Sequence, residues 1–177
     1  MRMIALAALA VGIFVSGVSA QPAPRKPGEE EKRIGYFAGQ WVFEGEAKAT
    51  PMGPGGKISA RETCEWFTGG FHVVCRSDGT SPRGSGKGQS TIGYDPIEKT
   101  YTFYAISSLG EGFFVRGMVN GPVWTWNSES TVEGKLIKIR VTITEESPMA
   151  YAFKMEGSFD NGPWTVMEEG RAKKAKS

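Results

Sequence analysis

One histidine and two cysteines bound the chemistry open to this chain. A Ser-His-Asp or Cys-His nucleophile would have to be built on His72. A lone neutral imidazole can ligate haem axially, so His72 is also the residue through which a haem-binding reading would run. No second histidine and no Asp-rich loop of calcium-binding spacing is present, so no metal site is assigned. Gly84-Ser85-Gly86-Lys87-Gly88 invites comparison with a phosphate loop and fails it. Its lysine is followed by Gly88 rather than Ser or Thr, and a strand pattern follows instead of a helix. The stretch reads as a flexible link, with a mobile lid at a barrel mouth as its functional alternative. No catalytic residue and no cofactor is assigned, because no constellation of residues specifies a reaction.

The cysteines read as a structural pair. Gly69-Gly70 is a two-residue turn signal between two runs of strand formers, 62–67 and 71–76. Counting outward from it sets Cys64 opposite Cys75, at the Cα separation of about 4.5–5.5 Å that a disulfide accepts. The same register puts His72 opposite Phe67, on the face away from Trp66.

Two carboxylates invite attention. With Asn161-Gly162 as a turn, Phe159 faces Trp164 and Glu168 falls on the inner face opposite Met155; a bulge in that turn would flip Glu168 outward. Glu62 poses the same question beside Cys64 and Trp66. An inward carboxylate is either a hydrogen-bonded structural group or a polar hook for a ligand. Glu44 and Glu46 alternate with Phe43 and Gly45 and should be solvated.

The elements that would position these groups are strands. Ahead of them, residues 1–20 read as a secretory signal: Arg2, an apolar run from Ile4 to Val15, and Val18-Ser19-Ala20 before a cleavage after Ala20. The run is shorter than the roughly 20 residues that span a bilayer. The mature protein is expected in the periplasm or secreted, where disulfides persist. Residues 21–28 form a Pro-rich lead, 29–173 a single domain, and 174–177 a basic tail. Glu29 to Phe37 suggests a short helix whose Ile34 and Phe37 share a face and could plug something. The formal charge of +2 gives no electrostatic case for nucleic acid.

Strand signals then recur near 40–49, 57–67, 71–78, 87–94, 100–108, 112–119, 122–128, 135–145, 149–159 and 163–172, separated by turn chemistry. Short links imply a meander of neighbours, and about ten strands in one small domain leave vulnerable edges unless the sheet closes. The expected fold is therefore all-β: a single antiparallel up-and-down barrel with a short N-terminal helix. Ile137, Ile139, Val141 and Ile143 share one face, and Tyr151, Phe153 and Met155 share the next strand's. A three-residue loop at 146–148 would set Ile143 on Tyr151, Val141 on Phe153 and Ile139 on Met155, with Trp126 on Ile137 and Trp124 on Ile139. Lys138, Arg140, Lys154 and Glu156 point the other way. Against lipid the basic ones would cost roughly 2–4 kcal/mol each near the midplane, so the barrel is not expected to span a membrane.

Gly39-Gln40-Trp41, after a short helix and opening the first strand, resembles the G-x-W signature of lipocalins and their relatives. The resemblance implies that Trp41 closes one end of the barrel and packs against an Arg from the far end of the chain, for which Arg171 is the candidate. The run from Thr63 to Cys75, Gly93-Tyr94-Asp95-Pro96 and Val123-Trp124-Thr125-Trp126 are similar to a family of bacterial, often exported proteins called a domain of unknown function. That resemblance covers roughly 28–173 and implies a lipocalin-like (calycin-type) barrel, with no activity attached.

What remains is the lining. The inward set includes Trp41, Phe43, Trp66, Phe71, Tyr101, Phe103, Phe113, Trp124, Trp126, Tyr151, Phe153 and Trp164. A barrel of about eight strands already holds one small ligand, so about ten leave room for a cavity of a few hundred Å³. The candidate ligand-binding residues are Trp41, Phe43, Trp66, Phe103, Phe113, Trp124, Trp126, Phe153 and Glu168, and the expected guest is small and hydrophobic. Two alternatives stand beside this carrier reading. One is a filled barrel binding a protein partner through the connections at 51–56 and 79–86. The other is a haem-binding barrel, or an enzyme acting on a bound lipophile through Glu168 or Glu62.

Overall fold

The computed structural model describes residues 25–51, 53–132 and 134–175. The expected signal sequence, residues 21–24 of the lead and the last two residues of the tail lie outside them. A one-turn helix α1 (Glu29–Arg33) runs into a 3-10 turn (Ile34–Phe37). Ten strands follow: β1 (Gly39–Ala47), β2 (Gly56–Trp66), β3 (His72–Ser81), β4 (Gly84–Asp95), β5 (Thr100–Ser107), β6 (Gly112–Asn120), β7 (Val123–Val132), β8 (Lys135–Ser147), β9 (Ala150–Phe159) and β10 (Thr165–Lys174). Each pairs antiparallel with its chain neighbour, and β10 returns to β1, so the barrel closes with no free edge. No helix of the described residues is long and apolar enough to cross a membrane.

Closure brings β1 and β10 very close. Gly45 faces Gly170, and a Cβ on Gly170 would lie 2.3 Å from the Glu44 carbonyl oxygen and 2.7 Å from the Phe153 ring. Only a residue without a side chain fits that seam.

Alternation assigns the faces as expected. Ile137, Ile139, Val141 and Ile143 point inward with Phe153 and Met155, and Arg140 pairs with Glu156 on the outside at 3.0 Å. The outer face is not uniformly charged, however: Tyr104, Ile106, Phe114 and Met118 of β5 and β6 are exposed there.

The expected registers need correction. Ile143 pairs with Phe153, Val141 with Met155 and Ile139 with Gly157, two residues from the expected pairing. β8 runs on to Ser147 and an irregularity between Glu145 and Ser147 absorbs the odd residue, so the turn is tighter than a three-residue loop. Trp126 pairs with Val141 and Trp124 with Ile143, four residues from expectation, because β7 continues to Val132. Every slip is even, so each side chain keeps its face.

The expected connection at 79–86 and the flexible link at 84–88 are paired strand apart from one tight turn. β3 and β4 pair down to Ser81 and Gly84 across a Pro82-Arg83 turn. Gly79 is a strand residue whose absent Cβ would lie 2.8 Å from both the Ala60 Cβ and the Ser59 carbonyl oxygen. Its glycine answers close packing rather than looseness.

Trp164 is also corrected. The β9–β10 ladder starts at Gly157 and Thr165, which leaves Trp164 before the strand, 41% exposed, with the Arg140 guanidinium 4.5 Å from its ring centre.

The helix and 3-10 turn plug one end. Ile34 is fully buried and Phe37 nearly so, among Trp41, Trp124 and Tyr151. Trp41 donates from its indole nitrogen to the Phe37 carbonyl at 2.7 Å, and Tyr36 donates to the Ala150 carbonyl at 2.9 Å. Arg33 pairs with Glu145, which also accepts from the Trp124 indole at 2.6 Å. Glu31, buried, pairs with Arg25 and accepts from the Gly28 backbone N–H at 2.7 Å. The expected plug is there, and Trp41 closes that end with it.

Arg171 does not join Trp41. It lies one residue off the inward position of Ala172, so it points out and pairs with Glu146 at 3.1 Å. Lys174, opposite Trp41, takes the place instead, with its ammonium 5.0 Å from the ring centre.

Candidate functional site

Opposite the plug the barrel is open, and a cavity of about 510 Å³ reaches inward from the mouth. Its floor is the aromatic layer above the plug, where Trp124 and Trp126 stack at 6.1 Å and Phe103 leans on Trp126 at 5.7 Å. Its walls are mostly apolar, with Val115, Ile139, Val141 and Met155 on inward positions of β6, β8 and β9. Phe113 has the inward parity yet is 52% exposed, because it stands at the rim.

The rim is made by the connection after β1, the Pro82-Arg83 turn and Glu111 before β6. Arg83 and Glu111 form an ion pair at 2.9 Å that ties the β3–β4 turn to the β5–β6 connection. Lys48 reaches Glu46 at 2.8 Å and Glu169 at 3.2 Å.

Within the apolar wall stands one carboxylate. Glu168 pairs across the ladders with Met155 and with Ala47, the last residue of β1, and faces the lumen near the mouth. An extra residue, Met167, is inserted between Val166 and Glu168. The expected danger was a bulge that flips Glu168 outward; this bulge turns it inward. Burial pushes the Glu168 carboxyl above its ordinary value, with Arg83 pulling it back and Glu111 adding to the rise.

Glu62 lies deeper and also faces inward, paired with Trp41 and Ser77. Burial raises its carboxyl to about 7. It is not among the residues lining the cavity and lies beside the disulfide that joins Cys64 and Cys75 across directly opposed positions of β2 and β3. A Glu62 oxygen and the two sulfurs lie within 4.8 Å of one another, among the described residues the one trio with metal-ligand atoms that close. The sulfurs are bonded to each other, so a single carboxylate is left, which does not make a metal site.

Of the nine candidate ligand residues, the structure brings Phe103, Phe113, Trp126 and Glu168 to the cavity. Trp41 and Trp124 are consumed by the plug, and Phe43 and Phe153 pack against that core. Trp66 is a correction: it sits at the closed end, 42% exposed, against Gly35 of the 3-10 turn. His72 points outward with its ring over Gly93, so it does not reach the cavity and the haem reading loses its ligand. Sequence reasoning missed Lys48, Arg83 and Glu111 at the mouth. Only the alternating parity of Ser81 and Gly79 could have shown that Arg83 caps a hairpin.

Fold and site together define a class: a closed ten-stranded up-and-down barrel, plugged at one end and hollow at the other. The chain belongs to the family described as "Protein of unknown function (DUF1579)", which it matches over residues 26–174. No protein with a curated description matches it. Among solved structures, the crystal structure of Rv2717c from M. tuberculosis superposes with a TM-score of 0.60 at 8% identity, covering 84% of this chain and 99% of that one. That likeness shows the barrel fold alone. A de novo designed fluorescence-activating β-barrel superposes more loosely, with a TM-score of 0.45 at 17% identity over 80% of this chain and 96% of the design.

Proposed function

We propose that this protein is a carrier or sensor that holds one small apolar molecule inside its barrel. The observation that carries the reading is the open cavity of about 510 Å³ with largely apolar walls. Side chains could have filled that space, as aromatics fill the plugged end. A guest that buries about 200 Å² of apolar surface there gains roughly 5 kcal/mol before the costs of association. Phe103, Phe113 and Trp126 supply flat walls, and Glu168 supplies one polar contact that orients the guest.

The working place is the cell envelope or beyond. Residues 1–20 have the character of a secretory signal, and the Cys64–Cys75 bond suits an oxidising compartment. Native mass spectrometry of the protein purified from its own envelope tests the carrier reading. A co-purifying small molecule lost on denaturation supports it. Protein that is empty, and that stays empty when offered apolar molecules of fitting size, contradicts it.

A further inference from the structure

The cavity's polar groups say which end of the guest goes where, and what that end is. This step rests on the carrier reading. The floor and middle of the cavity are apolar: Phe103, Val115, Trp126 and Val141 offer no charge to a guest. Ionisable groups gather at the mouth. Lys48 is held between Glu46 and Glu169, and Arg83 is paired with Glu111. Among the described residues, the ionisable groups lining the cavity are two bases, Lys48 and Arg83, and two acids, Glu111 and Glu168; Glu46 and Glu169, outside the lining, pair with Lys48. Both bases are already answered by other acids. Glu168 is the acid with no hydrogen bond or contact ion pair among the described residues, facing the lumen beside Met155 and Met167, with Arg83 acting on it only at longer range.

From this charge pattern we infer that the guest is a cationic amphiphile: an apolar alkyl or aryl body bearing a protonated amine. It enters tail first, and its ammonium lodges against the Glu168 carboxylate near the mouth. An ammonium group donates hydrogen bonds to both carboxylate oxygens and brings the contact cation that Glu168 lacks. An alcohol of the same shape donates one hydrogen bond and no charge. A fatty acid lodged in the same way places a second carboxylate beside the first and is disfavoured by like-charge repulsion. Tail-first orientation follows from position, since Glu168 pairs with the last residue of β1 at the mouth while Trp126 stacks on the floor.

The test is isothermal titration of the folded protein at pH 7.5 with decylamine, decanol and decanoate, each below its micellar range, repeated on Glu168→Gln. Decylamine is expected to bind roughly tenfold or more tighter than decanol, with decanoate weakest. Glu168→Gln is expected to abolish the amine's advantage over decanol. Decanoate binding as tightly as decylamine overturns the inference, as does an amine preference that survives Glu168→Gln. Decanol and decylamine binding equally overturns the amine assignment and leaves the carrier reading standing. Binding of none of the three overturns both.

Discussion

Glu168 stands opposite Met155 on the inner wall because Met167 is inserted in β10 just before it. Were the ladder begun at Gly157 and Thr165 to run on unbulged through the same residues, Met167 would stand opposite Met155 and Glu168 would turn to the outside. Met167 is itself buried and would touch any side chain added at Gly157. Met167→Ala keeps the backbone residue, and so keeps the bulge, while emptying its side-chain volume. The variant should lose about 2–4 kcal/mol in urea denaturation and accept a bulkier guest than the parent. An unchanged stability would show that Met167 does not pack as described.

Glu62 sets a pH dependence of stability. Burial holds its carboxyl at about 7 in the folded barrel, above its value of about 4.3 in an unfolded chain. Between those values the fold binds more proton than the unfolded chain, so stability falls as pH rises through the window and levels off above it. The loss amounts to at most about 4 kcal/mol from this group. Glu62→Gln, which cannot ionise, should therefore raise the melting temperature more at pH 8 than at pH 5. Equal shifts at the two pH values would show that Glu62 does not titrate in that window. Glu168, also raised by burial, acts in the same direction, so the double variant should flatten the profile further.

The Cys64–Cys75 bond closes a loop across a sequence separation of 11. Loop-closure entropy alone makes it worth about 3 kcal/mol. Thermal melts with and without reductant should differ by several degrees, and Cys64→Ser with Cys75→Ser should melt like the reduced protein, with no further response to reductant.

Much of this was legible in the residues. The Gly69-Gly70 turn sets Cys64 against Cys75, Ile34 and Phe37 mark the plug, and alternation from Ile137 to Ile143 fixes which face looks in. The β7–β8 and β8–β9 registers were not legible, because a slip of two or four residues leaves every side chain on its face and so leaves the hydrophobic pattern unchanged. Gly79 misled because glycine marks both loose turns and tight strand packing, and only the neighbour across the ladder, Ala60, tells them apart. The site was half legible. Phe103, Phe113, Trp126 and Glu168 could be placed by parity, whereas Trp66 and Trp164 lie at strand ends where parity stops deciding burial. The bulge at Met167 and the ion pair of Arg83 with Glu111 are three-dimensional facts with no local signal.

The most direct test of the central claim is a fluorescence titration with an uncharged, environment-sensitive dye such as phenylnaphthylamine, on the parent and on Val141→Trp. Val141 faces the middle of the cavity from β8, opposite Trp126 and Met155, so an indole there fills the space. The account predicts saturable binding of one dye per barrel in the parent and its loss in Val141→Trp, with the circular dichroism of the barrel unchanged. Absence of saturable binding in the parent, or undiminished binding in a folded Val141→Trp, would contradict it.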